Sequence, residues 1–134
     1  MKYDEFIKEV QTRGHMESRQ EAENATKATL ATLAERLAGG EPKDLASQLP
    51  REIAEHLRYE GEQDPNPFSL DEFFERVNER DPGVDEPRAA YHARVVTSVL
   101  QDAVTQGEMD HIRSQLPVEY DPLFESSSQG ETNV

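Results

Sequence analysis

Apolar residues recur along this chain at helical spacing, and no stretch alternates as a strand would. Phe6, Ile7 and Val10, and later Phe73, Phe74 and Val77, stand at i, i+1 and i+4, one stripe of a short amphipathic helix. Asp4-Glu5 and Asp71-Glu72 precede these stripes, where carboxylates suit the positive end of a helix dipole. Ser18 with Glu21 predicts a capping box opening a longer helix. Its stripe is Ala22, Ala25, Thr29, Leu33 and Leu37, and Gly39-Gly40 is its expected stop. A counterpart begins near Asp85-Glu86-Pro87, carries Ala89, Ala93, Val96, Leu100 and Ala103/Val104, and is expected to end at Gly107. Glu41-Pro42 and Glu108-Met109 open a third, short helix. Pro50 and Pro117 break it and start a fourth bearing Ile53/Leu57 and Tyr120/Phe124. Ser69 with Glu72 predicts a further capping box, with Phe68 and Phe73 as its hydrophobic staple.

The same order of elements occurs twice because the chain repeats itself. Asp4-Glu5-Phe6, Val10, Leu33, Gly40-Glu41 and Ser47-Gln48-Leu49-Pro50 return as Asp71-Glu72-Phe73, Val77, Leu100, Gly107-Glu108 and Ser114-Gln115-Leu116-Pro117, always 67 residues later. Aligning 3–57 with 70–124 gives 14 identities in 55 positions without a gap. A unit of about 55 residues is small for a self-sufficient core, so the two copies are expected to share one. The predicted fold is all-α: two tandem pseudo-repeats of three to four helices in a pseudo-two-fold bundle. Residues 1–124 form the single domain, 58–69 the linker between repeats, and 125–134 a disordered polar tail. Phe6, Val10, Leu33, Leu37, Leu49, Phe73, Val77, Leu100, Val104 and Leu116 are its expected core.

Charge narrows the choice of partners. The 28 acidic and 14 basic residues leave a net charge of −14, a field that repels nucleic acid and anionic lipid. The excess is uneven, with 12 acidic and 5 basic residues in 70–124 against 11 and 8 in 1–57. There are no cysteines, which excludes disulfides and thiolate metal sites. No apolar run reaches membrane-spanning length, and MKYDEFIKEV is not a signal peptide, so a cytoplasmic protein is expected.

Motifs for catalysis or metal binding are weak. His15, His56, His92 and His111 show no metal-ligand spacing, and none aligns with another across the repeat. His92 lies at the edge of an apolar stripe and is expected to be packed or half-exposed. Asp64, Asn66 and Glu75 match three ligands of a calcium loop, but Phe68 and Ser69 stand where the loop needs an oxygen donor and a glycine. The Asp4-Glu5 and Asp71-Glu72 pairs are explained by helix starts rather than by a glycosidase-like acid and base. No P-loop, GxGxxG or GxSxG motif is present. The repeated Ser-Gln-Leu-Pro is read as a helix junction whose leucine fills the core.

One resemblance covers almost the whole chain. Tyr3-Asp4-Glu5-Phe6-Ile7 with Val10, then 28–41 (ATLATLAERLAGGE) and Asp44-Leu45-Ala46-Ser47-Gln48-Leu49-Pro50, resembles the domain of unknown function 2267 family. That resemblance implies a small helical protein and carries no activity, cofactor or catalytic residue. The second copy departs from the pattern over 99–107.

The expected function is a non-enzymatic interaction or adaptor protein without a cofactor. The alternatives are a stress- or salt-related protein with a solubilising acidic surface, and, disfavoured, a carboxylate-based enzyme. A partner should be a basic protein, neither nucleic acid nor membrane. It should dock on Asp71, Glu72, Glu75 and Glu79, one acidic face of a second-repeat helix.

Overall fold

The computed structural model describes residues 1–37, 41–58 and 67–124. The Gly39-Gly40 helix stop, all but the ends of the linker, and the 125–134 tail lie outside the described residues. Among those described the protein is all-helical, with no strand. Helices α1 (Tyr3–Arg13), α2 (Arg19–Arg36), α3 (Glu41–Ala46) and α4 (Arg51–Ala54) are followed by a 3-10 turn, Glu55–Leu57. Then come α5 (Leu70–Arg80), α6 (Glu86–Ala103), α7 (Gln106–Ser114), a 3-10 turn Val118–Tyr120 and a helical turn over 121–124.

The caps form much as the sequence indicates. Ser18, Ser69 and Asp85 accept from the backbone N–H of Glu21, Glu72 and Arg88 at 3.1, 3.2 and 3.0 Å. Only half of each predicted capping box closes. The Glu21 carboxylate accepts from Glu17 N–H instead of Ser18 N–H, and Glu72 turns to Arg76. The Phe68 and Phe73 ring centroids lie 6.4 Å apart, as the staple requires.

Gly107 does not end α6. That helix stops at Ala103, and Gly107 lies inside the first turn of α7, which Thr105 caps by accepting from Glu108 N–H at 3.2 Å. A threonine cap near the end of α6 starts the next helix before glycine is needed. Gly83 does meet such a need: its φ of +87° makes the tight turn from α5 to α6.

Helices α2 and α6 pack on each other, and both α1 and α5 pack against each of them. Placed centrally, α2 is buried on more than the predicted stripe: Thr26, Ala28, Leu30, Thr32 and Ala34 are covered too. Its small side chains let neighbouring helices approach. The α2 and α6 threonines Thr32 and Thr97 donate to Ala28 and Ala93 carbonyls, each at 2.8 Å, so their hydroxyls are satisfied in the interior. One apolar cluster runs from Phe6 to Phe124 and includes every expected core residue except Val104, which is partly buried against it. Val104 is the C-cap of α6, where the chain leaves the helix and turns the residue off the buried stripe.

Several arginines cross between the helix pairs, Arg13 and Arg80 among them. Arg13 of α1 reaches Asp102 of α6 at 2.5 Å, and Arg80 of α5 reaches Glu35 of α2 at 3.0 Å. Arg13 and Arg80, like Glu35 and Asp102, are 67 positions apart.

Candidate functional site

Two polar assemblies stand out on this frame. The first lies where the α2 N-terminus meets the α5–α6 turn. His92 is fully buried, the packed one of its two expected states, and its Nδ1 is 2.8 Å from the Oδ2 of equally buried Asp81. Its Nε2 is 3.3 Å from Glu21 Oε2, close enough for charge attraction but outside hydrogen-bond geometry. Glu21 also accepts from Arg88 at 2.8 Å. Burial works against ionisation of Glu21, but Arg88, Glu17 N–H and His92 outweigh it and hold the carboxyl below the ordinary glutamate range. A cleft of about 330 Å³ opens above, lined by Ser18, Gln20, Glu21, Asn24, Arg88 and the 81–84 turn.

An imidazole between carboxylates can relay a proton only to a reacting group it reaches. The hydroxyl lining this cleft, Ser18 Oγ, is occupied as the α2 cap. The chain Asp81–His92–Glu21–Arg88 instead links α2, the end of α5 and α6, buried at Asp81 and His92 and reaching the surface at Arg88, with a structural consequence: it fixes their relative register.

The second assembly lies between α2 and α5. A cleft of about 480 Å³ is lined by Glu35, Glu72, Glu75, Arg76, Glu79 and Arg80. It brings together three of the four residues expected to dock a partner, whereas Asp71 is exposed at the start of α5 and does not line it. Glu72 is not a bare charge, since Arg76 Nε binds it at 2.9 Å. Glu35, largely buried, takes Arg76 at 2.5 Å and Arg80 at 3.0 Å. Arg80 also donates to Thr32 Oγ1 at 2.8 Å, and Arg76 stacks over the Phe68 ring with its guanidinium carbon 3.9 Å from the centroid. Glu75 and Glu79 are exposed and make no ion pair among the described residues. Four carboxylates therefore face two guanidinium groups already engaged with Glu35 and Glu72. Sequence reasoning missed Glu35; the signal that could have found it is an acidic residue at both 35 and 102, matched by the repeated arginines 13 and 80.

Among the described residues no group of three or more His, Cys, Asp or Glu side chains is arranged to hold a metal ion, and no helix is long and apolar enough to cross a membrane.

These features define a class: an all-helical protein with buried polar cross-links between its helices and an acidic cleft on its surface. The sequence profile described as "Uncharacterized conserved protein (DUF2267)" matches residues 3–123, and the chain belongs to that family, as its resemblance implied. No curated protein matches it.

Proposed function

We propose that the protein is a non-enzymatic cytoplasmic interaction protein whose α2/α5 cleft receives a basic segment of a partner protein. The carrying observation is the pair Glu75 and Glu79: exposed, without an ion pair among the described residues, and flanking a cleft whose two arginines are already engaged. A lysine or arginine entering there meets unneutralised carboxylates on one rim and prepositioned ones on the floor. Such complementarity acts chiefly on encounter rate and orientation. The net charge of −14 favours the same class of partner and disfavours nucleic acid.

The proposal includes the scaffold. We infer that 3–57 and 70–124 are duplicated units packed about a pseudo-two-fold axis in one domain. Support comes from helix limits that match at 67 residues, Tyr3–Arg13 with Leu70–Arg80 and Arg19–Arg36 with Glu86–Ala103. The crossing pairs Arg13–Asp102 and Arg80–Glu35 add to it, because across a two-fold axis each contact must occur twice with the roles exchanged.

The test is binding of a ten-residue peptide of alternating lysine and arginine at physiological salt, mapped by amide chemical shifts. Shifts should concentrate on α5 and the second half of α2, and Glu75→Lys/Glu79→Lys should abolish them. Glu5→Lys/Glu17→Lys changes net charge equally at a distance and should leave them. Equal losses in both variants would reduce the interaction to the overall field and remove the docking role.

A further inference from the structure

A third polar cluster belongs to neither assembly. Glu41 on α3 is 95% buried, the reverse of what a helix-start carboxylate normally shows, and its Oε2 has no hydrogen-bond partner. Its Oε1 is 3.3 Å from Nε2 of His111 on α7. Glu108, on the first turn of α7, likewise has a buried Oε2 without a partner. Helices α3 and α7 pack on each other, and through them the first half of the chain touches the second. Glu41 and Glu108 are equivalent positions, 67 residues apart, and glutamate stands at both.

We propose that Glu41 and Glu108 form a proton-operated latch between α3 and α7, closed while one carboxyl is neutral and loosened when both are ionised.

Two buried carboxylate oxygens with no hydrogen-bond donor among the described residues are costly to keep charged together, and uptake of one proton is the ordinary escape. The groups needed for a metal to take that role are not assembled here. The charges around the pair are unfavourable to a second anion. Burial first, then Glu41 and Asp44, push the Glu108 carboxyl above the ordinary glutamate range, and His111 opposes them. Asp110 and Arg113 on α7, Lys43 on α3, and Arg51, Glu52, Glu55 and His56 on the elements packed behind α3 complete the charged set.

A comparison within the chain strengthens the argument. Glu21 and Arg88 are also equivalent positions that touch each other. On a pseudo-two-fold axis a position faces its own copy, so an unmodified duplication sets like against like. At 21 and 88 the copies carry opposite charges and attract. At 41 and 108 the like charges remain, and that contact responds to pH. Opening it would uncover Leu45, Met109 and Ile112, all buried on these two helices.

The sign follows from proton binding. Glu108 holds its proton to higher pH in the closed form than in the opened one. The latch is therefore at full strength at and below the ordinary glutamate pKa of about 4.5 and weakens as pH rises above it. Hydrogen exchange of the full-length chain from pH 4.5 to 7.5, corrected for intrinsic rates, tests this. Protection of 41–46 and 106–114 should fall by up to about tenfold for each pH unit over which only the closed form keeps the proton. Glu108→Gln, permanently neutral, should hold low-pH protection at pH 7.5, and Glu41→Gln should weaken the pH dependence from the other side. An unchanged pH response in Glu108→Gln, or a flat response in the unaltered protein, would overturn the proposal. Failure of Glu108→Gln to fold would overturn it too, since the neutral side chain is the one assigned to the closed state.

Discussion

Removing Asp81 should expose how much the buried histidine depends on it. Asp81→Ala leaves the buried His92 Nδ1 without its 2.8 Å partner. A hydrogen-bonding group orphaned in this way costs about 1–3 kcal/mol. For a chain of this length unfolding entropy converts each kcal/mol into about 3–4 °C, so the melting temperature should fall by about 4–10 °C. His92→Leu should cost more, about 3–5 kcal/mol, because the stranded group is then a buried carboxylate. Glu21 is not stranded by the same change, since it keeps Arg88 at 2.8 Å and Glu17 N–H at 3.3 Å. The double variant Asp81→Ala/His92→Leu removes both members at once and should cost less than the sum of the singles by at least about 1 kcal/mol. Urea unfolding of the four proteins closes the cycle. Additivity within about 0.5 kcal/mol would mean that Asp81 and His92 are not coupled, and would undo the assignment of this cluster as a cross-link between α2, α5 and α6.

Two other outcomes follow from burial and charge. Leu49→Ala and Leu116→Ala keep 9% exposure beside helix ends and should fall at the low end of the buried-leucine range, about 2–3 kcal/mol, whereas fully buried Leu45→Ala should approach about 4–5 kcal/mol; thermal melts that reverse this order would contradict the core assignment. Glu21, held below its ordinary range, contributes stability that is present above that range and lost as pH falls through its lowered value, so the acid limb of the melting profile between about pH 5 and 3 should flatten in Glu21→Gln; an identical limb would contradict it.

The helices were legible because their signals are local. A stripe such as Phe6, Ile7 and Val10, or a cap such as Asp85 before Pro87, needs only its neighbours in sequence to be recognised. The gapless repeat likewise pointed to which residues would be buried, and only Val104 departed, at a helix end where the backbone leaves the stripe. The error at Gly107 was also local: glycine and a threonine cap competed to define the boundary, and Thr105 prevailed two residues earlier. Polar partners were another matter. Asp81 with His92, Arg80 with Glu35 and Gln48 with the Thr105 N–H at 2.9 Å join residues 11, 45 and 57 apart, and a single sequence carries no sign of which acid meets which base. The acidic face on α5 was visible as spacing, but its arginines and the buried Glu35 beneath them were not, and they decide which of its charges remain available.

The repeated residues divide by their distance from the proposed axis. Away from it, Arg13 and Arg80 each meet an acid on the opposite unit, and the acid can be Asp102 or Glu35 without loss, because each pair is made separately. Gln48 reaches across the units as well, its amide oxygen accepting from the Thr105 N–H. At the axis there is no such freedom, since one residue must face its own copy. Position 21/88 satisfies that constraint with opposite charges and sits at the outer end of the cluster that reaches buried His92. Position 41/108 keeps two carboxylates and leaves two buried oxygens without partners. On the proposed duplication, fusion into one chain permits the first solution, because a symmetric pair of identical subunits cannot place glutamate opposite arginine at a self-facing position. The second keeps the like charges such a pair would carry, and its two halves differ in their neighbours, since His111 stands beside Glu41 while Asp44 holds the matching position of the first unit.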